Sequence, residues 1–95
     1  MSETLPELSQ GYLDAAALER LFAELASAAS VREVRIKGGA TRMAERGLVP
    51  LSEALERLRA GELRGVQVLY SFEGSSWCDT ILAQEGAWRV CRMQI

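Results

Sequence analysis

Val66–Phe72 (VQVLYSF), Glu73–Ser76 (EGSS), Trp77–Leu82 (WCDTIL), Ala83–Gly86 (AQEG) and Ala87–Ile95 (AWRVCRMQI) form the stretch that decides the fold. Apolar side chains recur at every second position in the first run, which is strand period. Glu73–Ser76 reads as a tight turn with Gly74 in its first central position, the preference of a type II′ hairpin. Ala83–Gly86 reads as a four-residue turn in which Gly86 adopts the left-handed conformation. Three antiparallel strands in a meander follow, with Phe72 opposite Trp77 and Leu82 opposite Ala87.

That register sorts the meander into two faces. One carries Val66, Val68, Tyr70, Phe72, Trp77, Asp79, Ile81, Trp88, Val90 and Arg92. The other carries Gln67, Leu69, Ser71, Cys78, Thr80, Leu82, Ala87, Arg89, Cys91 and Met93. The first is aromatic and aliphatic, so it is expected to receive helices. The second is mixed, and its apolar members Leu69, Leu82, Cys91 and Met93 suit contact with a second copy. The terminal strand is expected to be a free edge.

Upstream, Asp14 is a candidate N-cap. Leu18, Leu21, Phe22, Leu25 and Ala29 make one apolar stripe at helical spacing, predicting a helix over roughly 14–29. Val34 and Ile36 alternate with charges over 31–37 as a strand. Gly38-Gly39 is a hairpin signal, with 40–46 read as the return arm. Ser52 is expected to cap a short helix running to about Ala60, with Leu55 and Leu58 as its apolar edge and Gly61 as its stop. Residues 1–11 read as a flexible polar lead-in and 12–95 as a single domain. The order α-β-(β)-α-β-β-β predicts an α+β fold: an antiparallel sheet of four to five strands with two helices packed on one face.

The composition agrees with one folded domain and removes several chemistries. The chain has 95 residues, 48% of them hydrophobic and 25% charged. It has no histidine, which excludes a Ser-His-Asp triad, a Cys-His dyad and imidazole metal ligands. Its two cysteines, Cys78 and Cys91, form no C-x-x-C motif. They read as reduced thiols facing each other, consistent with a cytoplasmic protein. The net charge of −2 disfavours a dedicated nucleic-acid binder, and no apolar run reaches the length of a membrane span. Ten arginines against one lysine, and no asparagine, are what GC-rich codons produce and suggest a bacterial origin. No cofactor is implied.

Three sites merit attention. Asp79 is a carboxylate in mid-strand on the apolar face and must be paired there. Arg92 and Arg89 are its expected partners, either as an ion pair that holds the sheet or, with Tyr70, as the lining of a small-molecule pocket. Lys37, Gly38, Gly39, Thr41 and Arg42 could cradle an anion through freed backbone amides, although the spacing matches no phosphate loop. Arg32, Arg35, Lys37, Arg42 and Arg46 concentrate basic charge in 32–46. With Tyr70, Phe72, Trp77 and Trp88 that segment could serve a nucleic acid, but those aromatics are needed in the core. The leading functional expectation is a non-catalytic protein-interaction domain, homodimeric and with a further unknown protein partner. The alternatives are a small-molecule binder or enzyme at Asp79, Arg92 and Tyr70, and an anion or nucleic-acid binder at 32–46.

Overall fold

The computed structural model describes residues 10–37 and 49–95. Seven elements follow one another: β1 (Gln10–Leu13), α1 (Ala15–Ala28), β2 (Ser30–Lys37), α2 (Leu51–Arg59), β3 (Gly65–Phe72), β4 (Ser75–Gln84) and β5 (Ala87–Gln94). The strands form one antiparallel sheet in the order β1-β5-β4-β3-β2. The fold is α+β, as the meander and helical stripe imply.

α1 begins where Asp14 accepts a hydrogen bond from the Ala17 amide at 2.8 Å, satisfying one of the helix's free donors. Its stripe of Leu18, Leu21, Phe22 and Leu25 is buried. These side chains meet Val66, Val68, Tyr70, Ile81 and Val90 from the sheet and Ala54 and Leu58 from α2 in one core. α2 differs from expectation at both apolar and capping positions. Pro50 occupies its N-cap with extended backbone and makes no side-chain cap bond, because its hydrocarbon ring carries no acceptor. Ser52 lies inside the first turn and does not cap. Ala54 and Leu58, four residues apart, take the buried edge, and Leu55 is only partly buried.

Both turns of the meander are tighter than, or displaced from, the expected ones. The first centres on Glu73 and Gly74, with φ +50° and +84°, and Phe72 pairs with Ser75. Two successive positive φ values define a type I′ turn, which replaces the expected II′ form. The left-handed Glu73 is tolerated because the turn's twist matches that of the strands and the ladder gains a further pair. The second turn has two residues, Glu85 and Gly86, with Gln84 opposite Ala87. Each displacement moves the register by two residues, an even number, so each side chain of the meander keeps its expected face.

β1 is an unanticipated strand. It contains Gln10 and Gly11, assigned above to the lead-in, and pairs Gln10–Leu13 with Cys91–Trp88 of β5. The terminal strand is therefore an inner strand of the sheet and not its free edge. At the opposite edge, β2 carries an irregularity between Val31 and Glu33. The Val49 amide donates to the Val34 carbonyl at 3.3 Å, so the chain entering α2 touches that edge. The Gly38-Gly39 turn and its return arm at 40–46 lie outside the described residues.

Candidate functional site

The sheet alternation puts Asp79 and Arg92 on the helix-covered face, directly opposite each other on β4 and β5. Arg92 grips the carboxylate with two parallel bonds, Nε to Oδ1 at 2.9 Å and Nη2 to Oδ2 at 2.8 Å. The Tyr70 hydroxyl, from β3, donates to Asp79 Oδ1 at 2.8 Å. All three are buried: Asp79 is 0%, Tyr70 1% and Arg92 7% exposed. A fork-to-fork arginine–carboxylate pair is short and directional, so it can offset part of the cost of removing both charges from water.

The electrostatics follow from that enclosure. Burial first, then the adjacent Asp79 charge, pushes the Tyr70 phenol above its ordinary range, because a phenolate there would lack water and face a carboxylate. For Arg92, burial opposes the charge, but the Asp79 bonds outweigh it and the guanidinium holds its proton more tightly than usual. Glu24 of α1 adds a smaller contribution in the same direction. The cluster is thus an ionised pair with a neutral phenol donor. Its two carboxylate oxygens are both occupied.

Arg89 is not part of this cluster. It lies on the uncovered face, where Nη2 donates to Gln10 Oε1 of β1 at 3.0 Å. The cysteines do not face each other either. Cys78 pairs with Leu69 and Met93, and Cys91 pairs with Thr80 and Gln10. The two-residue register displacement separates them to a diagonal on the same face. Both are free thiols, and burial pushes the Cys78 thiol upward.

The uncovered face reads as rows across the strands. Glu33, Leu69, Cys78 and Met93 form one row, and Lys37, Gly65, Leu82, Arg89 and Tyr12 form another. Leu82 lies over Gly65: a Cβ there would come within 2.8 Å of Leu82 Cδ2. Met93 is 61%, Tyr12 67% and Ile95 70% exposed. Of the expected interface group, Leu69 and Cys91 are half-buried while Leu82 and Met93 are exposed. Tyr12 was not foreseen on this face because its strand carries only four residues and no clear alternation.

A cavity of about 230 Å³ is lined by Tyr70 together with Arg32, Glu33, Leu69, Trp77 and Ile95. Neither Asp79 nor Arg92 lines it. The Trp77 Nε1 is buried and has no hydrogen-bond partner among the described residues. Lys37 ends β2, exposed, while Gly38, Gly39, Thr41, Arg42 and Arg46 lie outside the described residues. No group of three or more histidine, cysteine, aspartate or glutamate side chains is placed to hold a metal ion among the described residues. No helix among them is long and apolar enough to cross a membrane. Comparison with protein-family models, with curated proteins and with solved structures gave no match.

Proposed function

We propose that the chain is a small non-catalytic interaction domain that pairs with a second copy of itself through the uncovered sheet face. The observation that carries this reading is the sheet's asymmetry. Both helices contribute to a core on one face, while among the described residues no helix or strand lies over Leu69, Cys78, Met93, Leu82 and Tyr12 on the other. An isologous contact sets the Leu69–Cys78–Met93 row against its own copy, which needs no second complementary surface.

The size of the face is compatible with this use. Four inter-strand spacings of about 4.8 Å, by eight residues at about 3.3 Å, give roughly 500 Å² a side. Two copies would bury about 1,000 Å², the lower bound of a specific interface. The Asp79 cluster is better explained as a register-holding contact than as a binding pocket, since both carboxylate oxygens are occupied and the nearby cavity touches Tyr70 but neither Asp79 nor Arg92. That cavity is also smaller than the roughly 300 Å³ at which ligand pockets begin.

Light scattering at micromolar concentration tests the proposal. The expected mass is twice the 10.4 kDa of one chain. Leu69→Glu and Met93→Lys each place a charge in the patch and should shift the mass towards one chain. A parent mass near 10.4 kDa overturns the reading.

A further inference from the structure

The uncovered face brings together three sulfur-bearing side chains, Cys78, Cys91 and Met93, none of them in a disulfide. Cys78 on β4 stands directly opposite Met93 on β5, and Cys91 precedes Met93 by two residues on the same face. Side chains directly opposite on an antiparallel pair have Cβ atoms about 5 Å apart, and diagonal neighbours are about 7–8 Å apart. We propose that Cys78, Cys91 and Met93 form a binding site for a soft monovalent metal ion, with Cu(I) as the ion of that class.

Spacing separates this use from a disulfide. A disulfide brings the sulfurs to about 2.05 Å and requires Cα atoms within about 7 Å. A diagonal pair across rigid strands meets that only by moving backbone. A shared metal ion relaxes the requirement, since two metal–thiolate bonds of about 2.3 Å each hold the sulfurs roughly twice as far apart as a direct bond. Met93 is 61% exposed, and its unbranched chain can swing its thioether over the two thiols.

Donor type and number select the ion. Two thiols and a thioether are soft ligands and favour Cu(I). A structural zinc site needs four ligands, and the chain has no histidine to complete one. Among the described residues the face also lacks a third cysteine or a carboxylate set that could finish a tetrahedron. Binding proceeds without electron transfer: one Cu(I) joins two thiols, two S–H bonds break, two protons leave to solvent, and the thioether donates a lone pair. The resulting unit carries one negative charge.

The site does not rest on the dimer proposed above, because the experiment reads metal per chain whatever the mass. Cu(I) is supplied without oxygen as its bicinchoninate complex, whose colour fades as the protein withdraws the ion. The parent should take one Cu(I) per chain, and X-ray absorption should show sulfur-only coordination. Met93→Leu keeps an apolar side chain of similar volume at an exposed position, removes one of the three ligands, and should weaken binding by at least about 10-fold, the lower end of the effect of contacts outside the ligand set. Cys78→Ser and Cys91→Ser should each weaken it further than Met93→Leu. A parent that leaves the chelator's colour unchanged overturns the site. So does unaltered affinity in Cys91→Ser or Met93→Leu, or one ion shared between two chains.

Discussion

The two faces of the sheet are built by the same strands and have opposite fates. On the covered face most alternate residues of β3, β4 and β5 are buried or half-buried, so a charge there must be fully paired: Asp79 has Arg92 and Tyr70 on its two oxygens. On the uncovered face neighbours one residue away, Cys78 and Met93, are half-buried or exposed and have no such requirement. The difference shows that burial, rather than residue chemistry, sets how much a side chain matters to stability.

The strongest way to break the comparison is Asp79→Ala. It leaves a buried guanidinium and a phenol hydroxyl without their acceptor and should destabilise by about 3–5 kcal/mol in urea unfolding. An unchanged midpoint would show that the pair is idle. The double variant Asp79→Leu with Arg92→Met removes both charges and should be more stable than Asp79→Ala, because no charge is left unpaired.

Tyr70→Phe removes one donor while Arg92 still holds both carboxylate oxygens. Its expected cost is smaller, about 1.5 kcal/mol, typical of a hydrogen bond to a charged group. A loss as large as that of Asp79→Ala would mean that the phenol's hydrogen bond is needed for Arg92 to hold the carboxylate.

Alkaline pH sharpens the same point. The folded phenol ionises above its unfolded value, so the folded chain binds the proton more tightly. The stabilisation from Tyr70 is complete below about pH 10, the unfolded value, and declines as pH rises above it towards the folded value. Unfolding free energies of the parent should therefore fall above about pH 10 more steeply than those of Tyr70→Phe. Parallel curves would show that the hydroxyl is not enclosed.

The smallest effect belongs to the uncovered face. Met93→Ala, measured at high dilution, should change stability by no more than about 0.5 kcal/mol. A larger loss that grows with protein concentration would place the side chain in a contact between copies. A larger loss independent of concentration would erase the contrast between the faces.

Much of this contrast is legible in the residues themselves. Alternation in Val66–Phe72 and Trp77–Leu82 sorts the side chains within each strand, the turn lengths decide which sets share a face, and the assignment survives because both turns depart from expectation by two residues. Asp79 is conspicuous as the carboxylate on an otherwise apolar face. Pairings are harder to read. Gly74 suits several turn types, and only closure of the ladder at Phe72 and Ser75 selects the one in which Glu73 is left-handed. That choice aligns Tyr70 with Trp77 and Val68 with Asp79, and the second turn brings Arg92 opposite Asp79.

The helical stripe of α1, the meander, the sorting of side chains between faces and the need of Asp79 for a cation are determined by the sequence alone, because each depends on local periodicity or on the cost of burying a charge. Three features are decided by tertiary structure: β1 as the neighbour of β5, Arg92 directly opposite Asp79 rather than diagonal to it, and the diagonal placement of Cys78 and Cys91. The reason is common to them. Period-two alternation tells which face a residue takes but not which residue lies across from it, since shifts by even numbers leave the pattern intact. The partner is chosen only when strands distant in sequence close their hydrogen-bonded ladders.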